Sequence, residues 1–149
     1  MQITPLTANA KTAWLSLWQG YLDFYQSELS QTTTDKTWQR LTDDNSPIFG
    51  FGAWTDRQGQ KEMVGFVQVI LHPNTWNTTD CCYLEDLFVS ETARGKGIGR
   101  ALIEHVYEFA KTKNCNRVYW VTQENNHNAR KLYDTLATKT DFVQYRKNL

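Results

Sequence analysis

The sequence carries no excess of either charge: 16 basic and 16 acidic side chains cancel over 149 residues. A chain without a net field does not gather polyanions, so a nucleic-acid or anionic-membrane partner is not expected. No apolar run reaches the roughly 18 residues of a membrane helix. The start, Met1-Gln2-Ile3-Thr4-Pro5, lacks a signal-peptide pattern, and the expectation is a cytoplasmic protein. Cysteine is scarce and badly spaced for a framework. Cys81 and Cys82 adjoin, Cys115 stands apart, and no C-x-x-C or Cys/His spacing exists, so neither a disulfide scaffold nor a metal site is expected. What the chain does have is apolar bulk: 40% hydrophobic and 13% aromatic residues, with six Trp, exclude a disordered polymer. Its length fits one domain over residues 1–149, large enough to bury a core.

Periodicity supplies the element order. Ile3 to Leu6 reads as a short strand. Trp14, Leu15, Trp18, Tyr21, Leu22 and Tyr25 then recur at helical spacing. The Thr-rich stretch Ser30 to Lys36 reads as loop, with a short helix over Trp38 to Leu41. Phe49 to Trp54 and Met63 to Leu71 are strand-like and flank a hairpin turn at Asp56 to Gln60. His72 to Asp80 is a connection leading to a strand from Cys82 to Val89. Ile98, Ala101, Leu102, Val106, Phe109 and Ala110 form one helical face. Val118 to Val121 predicts a strand, Ala129 to Leu136 a helix, and Phe142 to Tyr145 a last strand. This is an α/β domain around a mixed, mostly antiparallel sheet flanked by helices.

The stretch Arg94-Gly95-Lys96-Gly97-Ile98-Gly99 lies between the strand ending at Val89 and the helix beginning at Ile98. Glycines permit a sharp bend and a close approach of backbone to ligand. N–H groups at the positive end of a following helix make an anion site, and Arg94, Lys96 and Arg100 add cationic charge. A P-loop is excluded, because no Gly-Lys is followed by Ser or Thr. A dinucleotide fingerprint fails at Arg100, where its third Gly should stand. The pattern [QR]-x-x-G-x-[GA] fits fully.

That pattern, Arg94-x-x-Gly97-x-Gly99, resembles the acetyl-CoA loop of the GNAT superfamily of N-acetyltransferases. Asn126-His-Asn-Ala129-Arg-Lys-Leu132-Tyr133 matches N-x-x-A-x-x-L-Y, the superfamily's second motif, and Tyr83 to Val89 is similar to its central strand. The Leu84-Glu85-Asp86 element and His72-Pro-x-Thr-Trp76 resemble the histone-and-polyamine branch and its spermidine/spermine acetyltransferases. The resemblance implies acetyl-CoA as cosubstrate, held by Leu87, Phe88, Val89, residues 94–100, Asn126, Ala129 and Tyr133. It further implies at least a homodimer, formed through C-terminal strands such as Phe142 to Lys147. Two features depart from the superfamily: Ala137-Thr138 stands where Gly-Phe is common, and no long extension is expected after the last strand.

Acetyl transfer to an amine requires deprotonation of the amine, stabilisation of the developing oxyanion and protonation of the departing thiolate. An alkyl amine with a pKa of about 10.4 is cationic at neutral pH, so a carboxylate is wanted beside it. Glu85 and Asp86 interrupt an apolar strand. Simple alternation puts Glu85 with Tyr83 and Leu87, and Asp86 on the other face with Leu84 and Phe88. The strand alone leaves simple pairing with an Arg as good a reading as catalysis; the resemblance favours Glu85 as the group assisting deprotonation. By the same resemblance Tyr133 is the proton donor and Asn126 holds the pantetheine arm, although a helix Tyr is often core and Asn favours an N-cap. His72 and Trp76 are candidate walls of the acceptor site. Trp14, Trp18, Tyr21 and Tyr25 read as a buried stripe, with a cation cage as the alternative. The function expected is an acetyl-CoA-dependent N-acetyltransferase acting on a polyamine-like amine or a lysine side chain. The alternatives are an antibiotic or small-metabolite acetyltransferase and a non-catalytic CoA-binding module.

Overall fold

Gln58 and Gly59 both adopt left-handed angles, φ 54° and 80°, the paired positive values whose twist matches that of two joined strands. The Gly59 N–H donates to Asp56 Oδ1 at 2.9 Å. The turn joins β2 (Ile48–Arg57) to β3 (Gln60–His72). In the computed structural model, which describes residues 1–149, these strands belong to a five-stranded sheet. Its order is β1 (Gln2–Pro5), β2, β3, β4 (Cys81–Val89) and β5 (Arg117–Tyr119). Every pair is antiparallel except β4 with β5, whose parallel pairing needs a crossover. Helix α3 (Ile98–Thr112) supplies it.

The helices are α1 (Lys11–Phe24), α2 (Gln31–Leu41), α3 (Ile98–Thr112) and α4 (His127–Leu136). One sheet face packs against α3, where Phe51, Val67, Val69, Cys82 and Leu84 meet Leu102, Ile103 and Val106. The other packs against α1 and α2, where Met63 and Phe66 meet Trp14, Trp18, Leu22, Trp38 and Leu41. Both faces are therefore dry, as a two-sided α/β sheet requires.

Three expectations are corrected. The stretch Ser30 to Lys36 is not loop: α2 begins at Gln31, because the Ser30 hydroxyl caps it by accepting the Thr33 N–H at 3.1 Å. Thr34, Trp38 and Leu41 then share its buried side, so a Thr-rich run that looks polar carries one covered face. Phe142 to Tyr145 forms no strand, and nothing after Leu136 enters a helix or strand. A strand exists only through its ladder, and no strand of this chain pairs with that segment. Phe142, Val143 and Tyr145 are 86%, 76% and 92% exposed.

The third correction concerns β4. Gln68 faces Asp86 while Val69 faces Leu84, which leaves Glu85 without a partner on β3. This is a β-bulge, and the extra residue reverses the alternation. Cys82 and Leu84 face α3 with Leu87 and Val89, whereas Phe88 packs on the α1 side. Asp86, bonded to Tyr21 of α1, shares the face of Phe88 and not that of Leu84.

Candidate functional site

The loop before α3 is built on two left-handed glycines. Gly95 and Gly97 have φ 75° and 78°, and a Cβ on either would meet nothing within 4 Å. The turn therefore requires glycine for its angles, and open space lies beside it. Gly97 is the N-cap of α3 and no side chain caps that end. Ala101 N–H is the first to find a carbonyl one turn back, donating to Gly97 O at 3.0 Å. The N–H groups of Ile98, Gly99 and Arg100 stay free at the positive end of a fifteen-residue helix. Gly99 differs: a Cβ there would make an ordinary 3.5 Å contact with Leu132 of α4, so the packing of α4 on α3 does not demand glycine. This cradle fits a pyrophosphate by its donor set and its clearance.

The three cations around it do different things. Arg94 donates from Nε to Val89 O at 3.1 Å and lies over the rings of Phe24 and Phe88, at 5.4 and 5.7 Å. It thereby ties the loop to the end of α1. Lys96 Nζ donates to Thr92 O at 3.4 Å. Arg100 points elsewhere, to Thr135 Oγ1 at 2.7 Å and to Glu104 at 3.7 Å, and links α3 to α4.

Tyr133 projects from α4 and is partly buried, edge-on to Trp120 with ring centroids 5.4 Å apart. Burial first, and Tyr25 second, push its phenol up to about 12, so it keeps its proton across the neutral range. Asn126 occupies the N-cap position of α4 but does not cap it. Its amide donates to Thr122 Oγ1 at 3.1 Å, which leaves its own carbonyl oxygen available.

The acidic pair lies at the bulge. Both oxygens of Asp86 are engaged: Tyr21 OH donates to Oδ1 at 2.6 Å and Gln68 Nε2 to Oδ2 at 2.6 Å. Burial raises Asp86 above the usual carboxylate range, and those two hydrogen bonds pull back toward the ionised form. None of the ion pairs of the chain includes it. Glu85 is exposed, and partial desolvation, with Asp86 beside it, raises its carboxyl, while Arg146 of the C-terminal segment lowers it. The bulge thus sets two carboxylates next to each other, one held rigidly and one open to solvent. Burial first, and the charge of Asp86 second, raise the phenol of Tyr25, which caps the end of α1.

His72 and Trp76 are not drawn into this group. His72 pairs with Cys81, five residues along β4 from Asp86, a separation of about 16 Å at the usual rise per strand residue. Its ring nitrogens face Pro73 O at 2.8 Å and Tyr119 OH at 2.6 Å. Trp76 is 91% exposed on the connection after β3.

The chain as a whole is similar to known proteins. The pattern of the Acetyltransferase (GNAT) family matches residues 14–137. The chain belongs to this family. It is therefore an N-acetyltransferase that uses acetyl-CoA as acetyl donor and acetylates amines. It is 37% identical over 136 residues to the D-amino-acid N-acetyltransferase HPA3 of Saccharomyces cerevisiae, covering 91% of this chain and 83% of that one. It is 36% identical over 78 residues to a spermine/spermidine N(1)-acetyltransferase of Bacillus subtilis, covering 48% of this chain and 49% of that one. Its fold is similar to that of AAC(6')-Iy in complex with a CoA-containing bisubstrate analogue, with a TM-score of 0.79, 19% identity, and coverage of 99% and 98%. No helix of the acetyltransferase is long and apolar enough to cross a membrane.

Sequence reasoning missed two polar residues that bear on the carboxylates of this candidate site. Gln68 is 2% exposed in the middle of β3, and its position inside the apolar run Met63 to Leu71 was the available signal. Arg146 acts on Glu85 from a segment read as strand, and nothing in the sequence links the two. The stripe of α1 proves double: Trp14 and Trp18 are core, whereas Tyr21 directs its hydroxyl at Asp86.

Proposed function

We propose that the acceptor is a primary alkyl amine bound as its ammonium ion, carried by a polyamine-like small molecule or a lysine side chain. The observation that carries this reading is Asp86, a partly buried carboxylate with two neutral donors and no cation. A charge removed from water without a counter-charge is costly, and an arriving ammonium offsets that cost. Glu85, open to solvent and raised in pKa, accepts the proton that the ammonium must lose, directly or through water. The free amine attacks the acetyl carbonyl carbon, the carbon–sulfur bond breaks, and Tyr133 returns a proton to the thiolate, giving the acetylated amine and CoA. The α3 N-terminus with Gly95, Gly97 and Arg94 takes the pyrophosphate, and Asn126 offers its free carbonyl to the pantetheine arm.

A second reading is supported by Arg146 together with the similarity to HPA3. A cation acting on Glu85 suits an acceptor whose amine neighbours a carboxylate, that is, an amino acid. Spermidine, a lysine peptide, D- and L-amino acids, an aminoglycoside and an uncharged aromatic amine, each with acetyl-CoA and a free-thiol readout, separate these acceptors. Rates rising with the positive charge of the acceptor support the ammonium reading. Equal rates for uncharged aromatic amines overturn it, and acetyl-CoA binding without thiol release from any amine would leave a non-catalytic CoA module. We further propose that the exposed Phe142, Val143 and Tyr145 are covered by a second copy of the chain.

A further inference from the structure

We propose that Gln68, anchored by Trp14, is a positioning residue that holds the Asp86 carboxylate ionised and aimed for the acceptor's ammonium. This rests on the reading of Asp86 given above. The chain of contacts is continuous. Trp14, fully buried, donates from Nε1 to Gln68 Oε1 at 2.7 Å. That bond fixes which end of the Gln68 amide faces which way, so the Nε2 end is presented to Asp86 Oδ2 at 2.6 Å. An unanchored amide can flip and offer its oxygen to the carboxylate; this one cannot without leaving a buried indole N–H unpaired. The bulge at Glu85 is the reason the contact exists, because it turns Asp86 to the face on which Gln68 lies.

The groups facing Asp86 leave no other source for its charge. Tyr21 approaches from α1 and Tyr25 from its C-terminal cap, Gln68 from β3, and Glu85 and Tyr83 from its own strand. Arg146, in the C-terminal segment, bears on Glu85 and Tyr83. Tyr21 and Gln68 alone donate to the carboxylate, and both favour its charged form. An apolar side chain at position 68 removes one of two supports, so Asp86 holds its proton to higher pH. Below that pH it has no charge for an ammonium to meet.

The test compares wild type with Gln68→Met, which is close in shape and donates nothing, and with Gln68→Glu. The second variant keeps an oxygen for Trp14 to donate to, so the core bond survives even where the first variant folds poorly. Carbon NMR of labelled aspartate follows the titration of the Asp86 carboxyl in each protein without any substrate. Steady-state kinetics with spermidine as probe give KM and kcat from pH 6 to 9. The expected result is an Asp86 titration at higher pH in both variants. KM for spermidine rises about ten-fold in Gln68→Met at pH 7, with acetyl-CoA affinity unchanged, as the loss of one charge-assisted bond implies. An Asp86 titration that stays at its wild-type pH in both variants overturns the inference. So does a fall in kcat at unchanged KM, the signature of a general loosening of the fold. Asp86→Asn isolates the underlying reading: an unchanged KM for spermidine in that variant removes Asp86 as the ammonium site, whatever Gln68 does.

Discussion

Gly97→Ala separates the two demands made on the loop before α3. Gly97 sits at φ 78°, ψ 5°, where an L side chain costs about 1–2 kcal/mol. The added Cβ meets no protein atom within 4 Å, so the strain is in the backbone and not in packing. For a chain of this size each 1 kcal/mol lowers Tm by about 2–4 °C, and the unliganded variant should melt about 2–8 °C lower. The open space also matters, because a methyl group there intrudes where the pyrophosphate should lie. A ten-fold loss of affinity is about 1.4 kcal/mol. At a ligand concentration of 100 Kd the wild type gains about 2.7 kcal/mol from binding, and the variant would gain only about half of that. Differential scanning calorimetry with and without acetyl-CoA, checked by titration calorimetry, measures both effects. Gly99→Ala is the control: its Cβ makes an ordinary 3.5 Å contact with Leu132, and it should keep unliganded stability and acetyl-CoA affinity within a few-fold. Gly97→Ala with the expected loss of unliganded stability but an undiminished response to acetyl-CoA would show that the loop serves the turn alone. No loss of unliganded stability would refute the backbone argument itself.

Tyr133→Phe should keep acetyl-CoA affinity within a few-fold and lower kcat by roughly 10²–10⁴, the range for a lost acid–base group; wild-type turnover would make Tyr133 structural. Because its phenol is pushed up to about 12, the wild type should show no alkaline loss of kcat from this group below about pH 11. Glu85→Gln should reduce kcat/KM most at neutral pH, and the deficit should shrink as pH approaches the pKa of the amine, about 10.4 for an alkyl amine. A pH profile parallel to wild type from pH 6 to 10 would assign deprotonation to another group. Light scattering should give at least a dimer of the 17.4 kDa chain, and Phe142→Asp with Tyr145→Asp should shift it to monomer; a wild-type monomer at micromolar concentration refutes the covered surface.

The elements with strong local signals were legible from residues alone. The α3 stripe from Ile98 to Ala110, the Gln58-Gly59 turn and the alternating glycines before α3 depend on spacing and on φ, which are local properties. The open end of α3 followed from them, because a free helix N-terminus needs only a cap that leaves it open. What tertiary structure decided was the surroundings of the two carboxylates. The bulge at Glu85 depends on how β3 registers against β4, and a one-residue change of register reverses every face beyond it. Period-two reasoning therefore placed Asp86 with Leu84 when it belongs with Phe88. The start of α2 was hidden because Thr34 is covered only once α2 packs on β2. Arg100 reads as a loop cation from its position in sequence, yet α4 takes its guanidinium. Gln68 was visible as a polar residue in an apolar strand, but its partners, Trp14 and Asp86, lie 54 and 18 positions away. Spacing in the chain carries no information about such pairs; the sheet and the helix packed on it do.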